Sequence, residues 1–450
     1  MILFNSIIFV IFIIFIISLG WWHTRHVKTE TSYLLAGRST KLFPLVATLV
    51  MTEFNTATLL AFSSIGYLAS WWGLSLGLVF LIGLLFYALT VAKKWKRFNG
   101  VSVAHYFSER YSPAMGHFVA TVLLLAMFGF SAVYLKSLAL LFSPLLPHAS
   151  LWLISGALTV LIVLMICRGG LVSIIHTDVV SFCLVVILFP SILFFTAHMP
   201  NHAPVSALSF TQMQQALPIK FLISLIVLTM FSYIVAPWYG QKIVAAKNAK
   251  VARWAVIIAA MLIAVLYGIG ILATAILRNK GVQLSNPTFA IPYILKHNLP
   301  SYTQGIAYAV LFSIGATTLS GVWNAMVTLL VGKLNSTQGM RRTYSLSIIC
   351  VIIVYVLANI ISNSILNDMI LANIPIVALS FALLAGFYWP RVTRAAAYSS
   401  IVFGVFWGLG CYLYIGAAGI YTWYWAVYGV PLIFATGIAV SLLQKKKKRL

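Results

Sequence analysis

The chain has 450 residues, of which 62% are hydrophobic and only 8% charged, and its mean hydropathy is +1.03. Soluble domains carry roughly 25% charged residues, so this chain cannot cover a water-facing surface and its solvent is largely lipid. The formal net charge is +24, from 29 Lys+Arg against 5 Asp+Glu; because the basic residues stand between long apolar runs, a topological origin takes precedence and no nucleic-acid partner is expected.

In lipid every backbone N–H and C=O needs an internal partner, which leaves helix bundles and closed barrels. The apolar runs far exceed the ~10 residues of a barrel strand and do not alternate, which predicts an all-α membrane protein. In chain order the spans are expected at 2–22, 43–68, 72–92, 114–142, 150–167, 172–198, 219–240, 254–278, 302–332, 343–362, 365–389, 395–416 and 421–443, about 13 transmembrane helices. Residues 101–111 read as a short interfacial helix. The first span lacks a basic start and is followed by basic residues, which suggests a retained anchor with an outside N-terminus. With that orientation all Lys and Arg except Lys136, Lys220, Arg278, Lys280 and Lys296 fall on the inside, in 25–41, 93–110, 168, 242–253, 333–342, 391–394 and 445–449. The bias predicts an odd number of spans and an inside C-terminus, with a basic tail near anionic headgroups of the bilayer. Cys167, Cys183, Cys350 and Cys411 lie in or beside apolar runs without metal-ligand spacing and read as small buried apolar residues.

Five carboxylates can each be weighed. Glu30 reads as solvated, Glu109 as a local pair with Arg110, and Asp368 as a first-turn acid favoured by the helix dipole. Glu53 differs. It sits mid-span in Met51-Thr52-Glu53-Phe54-Asn55-Thr56-Ala57-Thr58, where a carboxylate is costly unless paired, protonated or bound to a cation. The oxygens around it suit a hard cation; the alternative is a Lys partner from another helix. A second polar cluster, Thr317-Thr318-Leu319-Ser320 with Asn324, lies in span 302–332. A third candidate break is Thr229–Tyr233 with Pro237. Asp178 either caps span 172–198 or lines an exit path, and His176 beside it reads as interfacial. Lys136 is expected to snorkel to the outer interface.

Several of these segments look like known motifs. Tyr33-Leu-Leu-Ala-Gly-Arg-Ser39, Phe107-Ser-Glu-Arg-Tyr111, Gly169-Gly-Leu-Val-Ser-Ile-Ile-His-Thr-Asp178, Gln241-Lys-Ile-Val-Ala-Ala-Lys247 and Ala316-Thr-Thr-Leu-Ser320 resemble, in order and spacing, signatures of the sodium/solute symporter family across most of the chain. The resemblance implies a LeuT-type core of two inverted five-helix repeats, residues 43–198 and 219–389, within a single transmembrane domain. Residues 1–42 would add a helix and inside loop, and 395–450 peripheral helices and the basic tail. It implies a cation site from Met51, Glu53, Phe54, Ile314, Thr317 and Thr318. Asn55, Thr56, Thr58, Ser232, Tyr233, Ser320 and Asn324 would then face the solute, with Asp178 on the cytoplasmic exit path.

The family's usual Ser-Thr or Ser-Ser reads Thr317-Thr318 here, which keeps the hydroxyls. Ala236-Pro237 replaces a usual Asn-Gln, and the polar set of sugar-transporting members is not found. The expected function is sodium-coupled symport of a small organic solute (amino acid, organic acid or vitamin-like). Sodium would be the coupling ion and no other cofactor is implied, in a monomer of the bacterial cytoplasmic (inner) membrane. Proton coupling through Glu53 is the alternative. Two other classes are an intramembrane enzyme using His176 and Asp178, for which the chain lacks a denser His/Asp/Glu set, and a membrane sensor.

Overall fold

The computed structural model describes residues 2–23, 30–166, 170–202, 206–333, 340–361 and 364–447. The described residues are helical, and their one β pairing is an isolated bridge between Thr40 and Ala246. The main helices are α1 (Ile2–His23), α2 (Leu42–Glu53), α3 (Thr56–Ala69), α4 (Gly77–Thr90), α5 (Val103–Arg110), α6 (Pro113–Phe142), α7 (Leu151–Ile166) and α8 (Gly170–Ala197). They continue with α9 (Ile219–Tyr233), α10 (Pro237–Val244), α11 (Ala249–Asn279), α12 (Gln304–Lys333), α13 (Met340–Ile360), α14 (Ile365–Ala378), α15 (Ser380–Tyr388), α16 (Arg394–Ile415) and α17 (Gly429–Lys447).

Every expected span contains helix, but the count by length and composition differs. Among the described residues nine helical runs are long and apolar enough to cross a membrane, or up to ten if a pair bent by 43° before α9 is one span. The difference from thirteen arises because Thr56–Thr90 forms one run across two expected spans, while Leu42–Glu53, Leu151–Met165 and Ser345–Ile360 are shorter apolar helices.

Helix starts follow local chemistry. Ser102, Ser112, Asn248, Ser364 and Thr393 each accept a backbone N–H of the first turn, and Pro113 occupies the first position of α6. Two glycines permit close approach. A Cβ at Gly66 would lie 2.7 Å from the Ile271 carbonyl, so α3 can lie directly on α11. Gly170, at φ +49°, starts α8 against Tyr33, whose carbonyl oxygen a Cβ would meet at 2.4 Å.

Motifs far apart in sequence meet at one end of the bundle. The Thr40 N–H donates to the Ala245 carbonyl (3.0 Å) and the Lys247 N–H returns to the Thr40 carbonyl (2.8 Å). Gln241 donates to the Leu34 carbonyl (2.7 Å) and the Thr328 hydroxyl (2.8 Å). Arg38 reaches the Asn99 and Gly100 carbonyls at 2.7 and 2.9 Å.

Several expectations are corrected here. Glu109 pairs with His105 (3.0 Å) rather than Arg110, because one helical turn aligns positions 105 and 109. Arg110 instead donates to the Gly386 and Trp389 carbonyls, satisfying the end of α15. Lys136 donates to the Ile361 carbonyl, just past the end of α13. Cys350 and Cys411 are buried but Cys183 is exposed, and Cys167 lies outside the described residues. Asp368 is in the first turn of α14, as expected.

Candidate functional site

The run 42–69 cannot continue as one helix past Glu53. Phe54 and Asn55 leave helical geometry (φ −78°, ψ 82° and φ −113°, ψ 161°), and Asn55 restarts the chain as the cap of α3, its side chain accepting the Thr58 N–H at 2.8 Å. A break frees carbonyls at the end of α2 and N–H groups at the start of α3. Tyr267 of α11 braces it: its hydroxyl donates to the Glu53 carbonyl (2.6 Å) and accepts the Asn55 N–H (3.1 Å). The Asn55 side-chain amide also donates to the Glu53 carbonyl (2.9 Å). Tyr267→Phe is therefore expected to lower stability by about 1–3 kcal/mol, because it removes two buried hydrogen bonds at the break. Thermal unfolding in detergent measures this, and an unchanged midpoint would show that the brace carries no weight.

Met51, Ile314, Thr317 and Thr318 come together on one side of the break. The Thr318 hydroxyl lies 2.9 Å from both the Met51 and Ile314 carbonyls, and the Thr317 hydroxyl is 3.4 Å from the latter. These groups are buried and supply only oxygen, the ligand type a hard monovalent cation takes. The Phe54 ring packs on Phe189 and Tyr267.

Glu53 belongs to a different grouping. It is buried at 2% exposure, and its carboxylate accepts the Tyr233 hydroxyl and, at 3.3 Å, the Trp238 indole N–H. Both donors come from a second break: α9 ends at Tyr233, and Pro237 opens α10. Two interrupted helices are thus joined through one carboxylate. The alternative of a lysine partner for Glu53 is not what forms.

Beside this junction is a cavity of about 70 Å³, room for several waters. Asn55, Thr58, Ser232 and Tyr233 line it, together with Phe62, Phe80, Phe130, Tyr134, Trp238, Met369 and Asn373. Thr56, Ser320 and Asn324 do not line it. The Thr56 hydroxyl bonds Ser137 (2.9 Å), and that of Ser320 turns back to the Thr317 carbonyl (2.9 Å). Asn324 is buried elsewhere on α12.

Asp178 is fully buried, two turns into α8, so it does not cap that helix. Its Oδ2 accepts the Lys242 ammonium (3.0 Å) and the Thr48 hydroxyl. Lys242, counted from sequence with an exposed basic segment, is 1% exposed. Pro237 starts a further helix and carries Lys242 inward. Its ammonium also donates to the Thr48 carbonyl (3.0 Å) and the Thr52 hydroxyl.

The comparisons with known proteins fit this geometry. A model of the sodium:solute symporter family matches residues 33–404. No curated protein matches the chain. One solved structure, described as the substrate-bound outward-open state of a Na+-coupled sialic acid symporter with a novel Na+ site, superposes with a TM-score of 0.77 at 14% identity. That match covers 98% of this chain and 97% of the other. A manganese transporter from Eremococcus coleocola, in complex with an aromatic bis-isothiourea substituted compound, gives a TM-score of 0.50 at 13% identity, over 93% of this chain and 96% of that one. At these identities the likeness is one of fold.

Proposed function

This chain belongs to the sodium:solute symporter family, and we propose that it carries a small organic solute into the cell with sodium by alternating access. It is an integral membrane transporter rather than an enzyme, and the reading of His176 with Asp178 as a catalytic pair is set aside.

The observation that carries the coupling proposal is the broken helix shared by two sites. Sodium is assigned to the Met51 and Ile314 carbonyls and the Thr317 and Thr318 hydroxyls, on one side of the break. The solute is assigned to the cavity lined by Asn55, Thr58, Ser232 and Tyr233, on the other side, with Glu53 behind it. An ion that pulls α12 onto the end of α2 fixes the start of α3, and with it Asn55 and Thr58. Two ligands that favour the same closed state bind cooperatively, and each must raise the other's affinity by the same factor.

Within this proposal the chain has thirteen spans, an outside N-terminus and an inside C-terminus. Residues 43–198 and 219–389 form two inverted LeuT-type repeats, with 1–42 and 395–450 peripheral. The two breaks, after Glu53 and after Tyr233, fall at corresponding positions of those repeats, the arrangement typical of secondary transporters. The protein works as a monomer in a bacterial inner membrane. The missing polar set of sugar-transporting members supports an amino acid, organic acid or vitamin-like solute rather than a sugar. Asp178 lies beside the exit path.

The test is thermal stability of the purified protein, scanned over small solutes in sodium or potassium. A ligand bound only by the folded state raises the midpoint by mass action. A solute that stabilises in sodium but not potassium is the expected result. A hit indifferent to sodium and sensitive to pH would replace this reading with proton coupling through Glu53.

A further inference from the structure

The buried Lys242 is used by neither site above. Its ammonium has three donors, and each meets an oxygen: Asp178 Oδ2 at 3.0 Å, the Thr48 carbonyl at 3.0 Å and the Thr52 hydroxyl. These oxygens lie on α2 and α8, whereas Lys242 arrives from α10. A carboxylate, a carbonyl and a hydroxyl are the ligands a free sodium ion would take. This cage also adjoins the assigned sodium site. Thr52 directly follows Met51 in α2. Asp178 Oδ1 is buried with no hydrogen bond of its own among the described residues, which leaves one more oxygen for a cation.

We propose that the Lys242 ammonium is a tethered cation occupying a second ion position, so that the Asp178 cage holds its positive charge permanently and takes no free sodium. The cage then works as a fixed counter-charge, and only the Met51–Thr318 site exchanges an ion during transport. The inference relies on the proposed function solely for what that neighbouring site binds.

Removing the side chain should convert the cage into a true ion site. The full-length protein is unfolded thermally across a sodium series, with potassium holding ionic strength constant. Lys242→Ala should show a stabilisation per decade of sodium about twofold that of the wild type, since each ion bound only by the folded state adds its own mass-action contribution. Lys242→Met combined with Asp178→Asn removes both charges and should return to the wild-type slope. The proposal is overturned if Lys242→Ala keeps the wild-type slope, or if the double variant is as steep as the single one. It is equally overturned if Lys242→Ala folds at no sodium concentration, because sodium then cannot replace the ammonium. A wild type indifferent to sodium would instead remove the sodium assignment at Met51–Thr318, while the gain or absence of a response in Lys242→Ala would still decide this proposal.

Discussion

Thr318→Ala is expected to raise the sodium concentration needed for half-maximal stabilisation, with little change in solute affinity once sodium is saturating. Its hydroxyl lies 2.9 Å from two carbonyls assigned to the same ion, one at the end of α2 and one on α12. An oxygen contact to a charged group is worth about 1.5–3 kcal/mol, and about 1.4 kcal/mol is tenfold in affinity. The shift should therefore be tenfold or more. Thr318→Ser keeps the hydroxyl and should recover most of the loss. An alanine variant with the wild-type sodium response would sink the site assignment. The split between sodium and solute effects matters, because general loosening of α12 would weaken both together.

Glu53→Gln should reduce solute uptake roughly tenfold or more while the protein still folds, because a buried group left without its partner costs about 1–3 kcal/mol. The Glu53 carboxylate accepts from two donors, the Tyr233 hydroxyl and the Trp238 indole. A glutamine offers one acceptor oxygen and turns an N–H₂ toward the other donor. That mismatch falls at the point where the breaks after α2 and α9 are joined, so it disturbs the moving parts rather than the scaffold. Tyr233→Phe should act in the same direction. Uptake by the Gln variant at the wild-type rate would remove Glu53 from the mechanism. Loss confined to uptake driven by a proton gradient would instead favour proton coupling.

The first break was legible because it violates the pattern around it. Glu53, Asn55, Thr56 and Thr58 crowd into a run that is otherwise apolar, and few roles other than ligand or cap tolerate that. The second break was legible from the polar run Thr229–Tyr233 together with Pro237, which gave its place but not its partners. Contacts that needed the fold were invisible. Glu53 meets Tyr233 across 180 positions and Trp238 across 185, and Lys242 meets Asp178 across 64. Lys242 was misplaced for a specific reason: a lysine just beyond an apolar run is normally at the interface, and only the turn of helix begun by Pro237 carries it inside. Met369 and Asn373 of α14 line the cavity without any local signal, since one more methionine and asparagine in an apolar helix read as ordinary packing. Ser320 and Asn324 erred the other way. Both stand on the same helix as the Thr317–Thr318 pair, but the Ser320 hydroxyl turns back to the Thr317 carbonyl and neither residue lines the cavity.

The indole of Trp238 gives this machinery an optical output. Its N–H is directed at the Glu53 carboxylate, and its ring lines the solute cavity. The emission colour of an indole responds to nearby charge and water. Displacing water from the cavity, protonating the carboxylate or reopening the second break would each shift the spectrum. Subtracting the spectrum of Trp238→Phe isolates this ring among the 13 tryptophans. Ion and solute arrival can then be followed in real time, without a label and before the solute has been named.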